Sequence, residues 1–326
     1  MTLSKRMILA ALAAGAGLGV AAGPLAAQGL PQRPITLLVG FAGGTAPDTL
    51  ARILADAMQR TANVSVVVEN VPGAGGQVAS GRAARAPADG TTLLLGEVGS
   101  VAIAPFAFTS LPYDPARDFT YVSEVARTHF AFVVPASGPA TLGAFIAQAK
   151  QAERTLLGTF GVTSPGHIAA ELFGQSAGFR MQPVHYRAVA DGIGDIAGAR
   201  TAGAFLSIPL AAAQARSGGI RALVQTGASR SPMLPDVPTV AEAGVPDLAM
   251  ASWFVLMVPA ATPAPLVEAL NRAAVVAMRD PAALERLRGA GFEEVGSSLE
   301  EVRAMVARER DRWKPVIERA GIRISN

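Results

Sequence analysis

Two short stretches carry residue types that can hold an anion. In Phe41-Ala42-Gly43-Gly44-Thr45-Ala46-Pro47-Asp48, two glycines precede a hydroxyl, a proline and a carboxylate at the spacing that opens a helix. Thr45 and Asp48 have the S/T-x-x-D/E form of a capping box, and Pro47 suits a first helical turn. In Gly161-Val162-Thr163-Ser164-Pro165-Gly166-His167 the logic repeats, with Ser164 as hydroxyl cap and Pro165 at the first helical position. A helix amino terminus offers unpaired N–H groups and the positive end of a dipole, so each stretch can hold a carboxylate without a cationic side chain. The candidate ligand-binding residues are Phe41, Ala42, Gly43, Gly44, Thr45 and Asp48 from the first stretch, and Gly161, Thr163, Ser164 and His167 from the second. Tyr186 and Arg187 join them from a third loop, Arg187 being the cation that could reach a cleft.

Other chemistries find little support. His167 and Glu171 share a helix face at i, i+4, but His129 and His185 add no recognisable third ligand, which argues against zinc. Ser164 and His167 lack a G-x-S-x-G elbow, and residues three apart on one helix do not place an imidazole against a serine oxygen with an acid behind it. Gly73-Ala74-Gly75 begins a dinucleotide fingerprint, yet Val78 stands where G-x-G-x-x-G needs its third glycine. No cofactor is expected. The absence of cysteine excludes disulfides and thiolate chemistry.

The elements around the two loops set their orientation. Ile35-Thr36-Leu37-Leu38-Val39 reads as a buried strand, and Leu50, Ile53, Leu54, Ala57 and Met58 recur on one face of a helix over residues 47–60. The first loop therefore joins a strand's carboxyl end to a helix's amino end, where open α/β sheets bind ligands. Strands alternate with helices onward, at 64–69, 91–95 and 130–134, which predicts an α/β layer structure with a largely parallel sheet. Residues 135–139 read as a crossing into a second unit, whose strand at 156–160 leads to the second loop. The apolar segment 253–258 returns the chain to the first unit. Ser298 and Glu301 form a second capping box, opening a last helix that runs through Trp313 and packs on the first unit.

The chain of 326 residues is 50% hydrophobic and 16% charged, enough core for two domains and too apolar for disorder. Its net charge of +3 includes Lys5 and Arg6, which precede an apolar run and the small residues Ala26-Ala27. This is the layout of a cleavable secretory signal peptide over 1–27, leaving an exported mature chain. No basic cluster with interleaved aromatics suggests nucleic acid as a partner.

These stretches together resemble the periplasmic solute receptors of tripartite tricarboxylate transporters, the Bug or TctC-type proteins. The resemblance is carried by Arg33-Pro34-Ile35 into the first loop, by Val68-Glu69-Asn70 with Pro72-Gly73-Ala74-Gly75-Gly76, and by Leu111-Pro112-Tyr113-Asp114-Pro115 with Arg117-Asp118-Phe119. It continues in 167–173, in Leu234-Pro235-Asp236-Val237-Pro238-Thr239-Val240-Ala241-Glu242-Ala243-Gly244, in Ser252-Trp253-Phe254 and in 259–263. It implies an α/β, two-domain periplasmic-binding-protein fold (type II-like) with a ligand cleft between domains: 28–132 plus 252–326 as domain 1, and 133–251 as domain 2. It further implies a monomeric receptor in the periplasm, with no enzymatic activity, that binds a small organic carboxylate and delivers it to membrane permease subunits. A periplasmic sensor with the same closed form is the alternative, and an exported α/β hydrolase or isomerase the remoter one. The chain departs from the family pattern around the ligand, with Ala46-Pro47 inside the first loop, Gly166 where the family often has serine, Arg187-Ala188 after Tyr186, and Leu206 at a position commonly acidic.

Overall fold

The computed structural model describes residues 29–186 and 188–325. The expected signal segment 1–27 and Arg187 lie outside the described residues.

The strands fall into two sheets. In the first half of the chain come β1 (Ile35–Val39), α1 (Ala46–Ala62), β2 (Val66–Asn70), α2 (Gln77–Ala84), β3 (Thr92–Glu97), α3 (Ala104–Ala107) and β4 (Phe119–Thr128). There follow β5 (Phe130–Pro135), α4 (Leu142–Gln151), β6 (Thr155–Thr159), α5 (Pro165–Ala177), β7 (Met181–His185), α6 (Val189–Ala197), β8 (Gly203–Ser207), α7 (Ile208–Arg216) and β9 (Ile220–Gln225). The chain ends with β10 (Ser252–Pro259), α8 (Ala264–Met278), α9 (Pro281–Gly289), β11 (Glu293–Glu294) and α10 (Leu299–Ala320).

The first sheet has the order β11-β4-β10-β3-β1-β2 and the second β7-β6-β8-β5-β9. β1 pairs in parallel with β2 and β3, and β6 with β7 and β8. β10 runs antiparallel between β3 and β4, and β5 antiparallel between β8 and β9. The expected largely parallel sheet is thus corrected to two mixed sheets of matching plan. In each, the interior strand that runs backwards is the first one after the chain has crossed from the other sheet; the two-residue edge strand β11 also runs antiparallel to β4. Sequence periodicity reports a strand's burial and not its direction, so this reversal had no local signal. The expected crossing at 135–139 also moves: β5 belongs wholly to the second sheet, which puts the first crossing at His129.

Burial follows the apolar periodicity. One face of the first sheet meets α1 and α8 through Leu37, Val39, Leu50, Leu54, Leu256 and Leu270, all buried. A second cluster continues from Leu38 and Leu94 through Val101 and Trp313 to Phe173 and Phe132, so one core touches both sheets. α10 lies along that seam, where its Val316 carbonyl accepts from Gln175 Nε2 of α5 at 3.1 Å. The carboxyl ends of β1, β3 and β6 meet across the gap between the sheets, and the loops that follow them line it.

Candidate functional site

The loop after β1 is shaped by close backbone approach. A Cβ on Gly40 would lie 2.5 Å from the Gly76 Cα, so glycine is required for this loop to sit against the Gly73–Gly76 turn. Asn70 Nδ2 donates to the Phe41 carbonyl at 3.0 Å and holds the start of the loop. Residues 42–44 are exposed. The expected capping box does not form. Thr45 occupies the N-cap of α1 without a side-chain cap, and its hydroxyl donates to the Ala42 carbonyl at 2.6 Å. The Asp48 carboxylate instead accepts from the Gly44 N–H at 2.9 Å, because Gly44, at φ 81°, presents its amide to the shorter aspartate side chain. Arg52 completes the clasp, with Nε 3.0 Å from Asp48 Oδ2. The Arg52 hydrogen bond, with that from Gly44 behind it, holds the buried Asp48 carboxyl down at about 2. Gly44 and Asp48 therefore brace the loop.

The loop after β6 forms its expected cap. Ser164 Oγ accepts from the His167 N–H at 3.3 Å, and Pro165 opens α5. Thr163 sits at φ 62°, a left-handed conformation unusual for a threonine, and is held there from below. Its N–H donates to His167 Nδ1 at 3.1 Å, which places the imidazole proton on Nε2, 3.6 Å from Glu171 Oε1. His167 is buried, and its Nδ1 supports the loop backbone through Thr163. The Thr163 hydroxyl donates to the Val162 carbonyl at 2.6 Å, whereas the Ser164 hydroxyl has no acceptor among the described residues. Among the described residues the N–H groups of Gly161 and Val162 have no partner. Packing at 166 is tight, since a Cβ there would lie 3.0 Å from the Phe205 carbonyl of β8.

A cavity of about 420 Å³ lies between these loops. The first sheet's side contributes Phe41, Ala74, Gly75, Gln77, Glu97 and Gly99, with Ala104 and Phe108 from the helical turns after β3. Residues 160–165 close it from the second sheet's side. Of the expected site residues, the cavity brings together Phe41, Gly161, Thr163 and Ser164. Ala42, Gly43, Gly44, Thr45, Asp48, His167 and Tyr186 do not line it. Tyr186 donates its hydroxyl to Asp195 Oδ2 at 2.7 Å and rests against Phe160, so it stiffens the wall from behind. The Gly73–Gly76 turn carries no dinucleotide fingerprint but does line the cavity, with Gly73, Ala74, Gly75 and Gly76 all at positive φ.

Glu97 is the functional candidate that sequence reasoning missed. It ends β3, is 8% exposed, and is the one charged side chain among the described lining residues. Burial pushes its carboxyl up to about 7, against hydrogen bonds from the Gly99 N–H and the Ser252 hydroxyl. The signal was present as a lone acid closing the apolar run Leu93-Leu94-Leu95-Gly96, at the strand end where ligands bind. Among the described residues no group of three or more His, Cys, Asp or Glu side chains is placed to hold a metal, and no helix is long and apolar enough to cross a membrane.

Two mixed sheets of like plan, joined by two crossings and with a cavity at their strand ends, define a periplasmic-binding-protein type of solute receptor. The family model described as "Tripartite tricarboxylate transporter family receptor" (TctC) matches residues 50–322, and the chain belongs to that family. BugT of Bordetella pertussis is 31% identical over 309 residues, covering 94% of each chain. An R. palustris protein solved with adipate is 34% identical with a TM-score of 0.79, covering 90% of this chain and 99% of that one. MatC from Rhodopseudomonas palustris, solved with bound malate, is 28% identical with a TM-score of 0.76, covering 88% and 100%.

Proposed function

We propose that the protein is an exported receptor that binds a small organic carboxylate between its sheets and delivers it to the membrane permease subunits of a tripartite tricarboxylate-type transporter. The observation that carries this reading is the start of α5, where Gly161, Val162 and Ser164 line the cavity at a helix amino terminus and the N–H groups of Gly161 and Val162 have no partner among the described residues. Such an array favours an anion. The adipate and malate held by the two related structures agree with it. In this reading the two sheets are the cores of two lobes that close on the ligand, and Gly43 and Thr45 reach it only on closure. Residues 1–27 direct export and are removed.

Thermal unfolding of residues 28–326 with mono-, di- and tricarboxylates tests the reading. A ligand at about a hundred times its Kd adds roughly 2.7 kcal/mol. Selective stabilisation by one class of carboxylate is the expected result. No stabilisation by any carboxylate, with protein refolded from denaturant to remove carried ligand, would overturn it.

A further inference from the structure

Glu97 is an odd residue to find in a cavity built for an anion. Its carboxyl group lies against Gly99, where a Cβ would collide with Oε1 and would stand 3.8 Å from the Thr163 carbonyl of the facing loop. The acid therefore lies on the first sheet's side of the cavity, where the turn at Gly99 faces the loop before α5. Its protein partners are two donors, the Gly99 N–H and the Ser252 hydroxyl. No lysine, arginine or histidine is found among the described residues that line the cavity. The titratable neighbour that feels its charge is Tyr113, whose hydroxyl donates to the Ser100 carbonyl at 2.7 Å.

A buried carboxylate with neutral donors alone leaves charge uncompensated, and such groups are found paired in folded proteins. The cavity then has an electropositive end at α5 and an electronegative one at Glu97. We propose that Glu97 is the counter-ion for a ligand cation, so that the site selects a carboxylate that also bears a protonated amine over the same carbon skeleton without it. The ligand's carboxylate takes the N–H groups of Gly161 and Val162 and the Ser164 hydroxyl, while its ammonium group donates to Glu97. Phe41 and Phe160, from opposite sheets, exclude water around the short carbon chain between them. This inference rests on the carboxylate-receptor reading given above.

Matched acids test it by calorimetric titration of refolded protein: aspartate against malate and succinate, and 4-aminobutanoate against butanoate. The expected result is that, in at least one series, the amine-bearing acid binds at least tenfold tighter than its amine-free twins. Glu97→Gln keeps the size of the side chain and should erase that preference while leaving the amine-free acids bound as before. If amine-free acids bind as tightly as their amine-bearing twins, or if Glu97→Gln retains the preference, the inference is overturned and the receptor reading stands. If no acid in either series nor in the wider carboxylate panel binds, both fail together. A Glu97→Gln protein with an unchanged unfolding profile at pH 5 confirms that any loss of preference is not a loss of fold.

Discussion

Glu97 sets burial against charge, and the consequence is a pH dependence with a definite sign. Its carboxyl is raised from an ordinary 4.5 to about 7 by burial. Between those values the folded protein holds a proton that the unfolded chain has released. The stability tied to that proton is thus complete below about pH 4.5 and is lost as pH rises through about 7. A gap of that size corresponds to roughly 3 kcal/mol. Glu97→Gln, which stays neutral, should unfold in urea like the wild type at pH 5 and be more stable by up to that amount at pH 8. Equal differences at both pH values would show that Glu97 is not the titrating group. His167 is a residue of a different kind, since it acts through Thr163. His167→Ala leaves the Thr163 N–H unpaired and should cost roughly 1–3 kcal/mol and weaken carboxylate binding, whereas His167→Asn, whose oxygen can accept the same hydrogen bond, should restore both. Equal binding by all three proteins would remove His167 from the support of the loop. Residues of these two kinds differ in how well the sequence shows them. Ser164 and Gly161 announced themselves by type and spacing, but Glu97 takes a partner, Ser252, from a distant strand, and no local pattern encodes that meeting.

Helix caps show where an element can be read and where it cannot. Ser298 and Glu301 form the full reciprocal box at the start of α10, with the Ser298 N–H 2.8 Å from Glu301 Oε2 and the Glu301 N–H 3.2 Å from Ser298 Oγ. Thr45 and Asp48 have the same spacing and form no box, because the shorter aspartate takes the Gly44 amide and Arg52 instead. The two sites should respond differently to alanine. Ser298→Ala should destabilise the protein by about 1 kcal/mol, as the loss of a working cap does. Thr45→Ala removes only an exposed hydroxyl bond to the Ala42 carbonyl and should fall within about 0.5 kcal/mol of wild type. Urea titration of both variants separates them, and equal losses would mean that Thr45 caps α1 in solution. The strands divide in the same way. Runs such as Leu93-Leu94-Leu95 and Val255-Leu256-Met257 declare burial, yet the reversal of β5 and β10 follows from connectivity between sheets, which only the whole chain decides.

At the scale of the whole molecule the two crossings lie side by side and are sewn together. His129 Nδ1 is 3.1 Å from the Met250 carbonyl, and Thr226, at the other crossing, donates its N–H to the Phe130 carbonyl at 2.9 Å. The Thr226 hydroxyl accepts from the Phe130 N–H at 3.0 Å and donates to the Met250 carbonyl at 2.7 Å. A few element-terminal residues between two rigid sheets are the usual place for a hinge, and here Phe130, Thr226 and Met250 are buried and hydrogen-bonded, with His129 half-buried beside them. Thr226→Val keeps the side-chain volume and strands the Phe130 amide, which should cost roughly 1–3 kcal/mol. If the sewn crossings also set the resting gap between the sheets, the variant should have a larger radius of gyration than wild type when ligand-free. Saturating carboxylate should then bring both proteins to one value, because the ligand's contacts with both loops fix the closed form whatever the hinge prefers. Affinity should fall in step, since a wider resting gap lowers the population of the binding-competent form. Small-angle scattering with and without ligand reads all of this directly. A stability loss with no change in the ligand-free radius would show that Thr226 holds two strands together and does not govern closure.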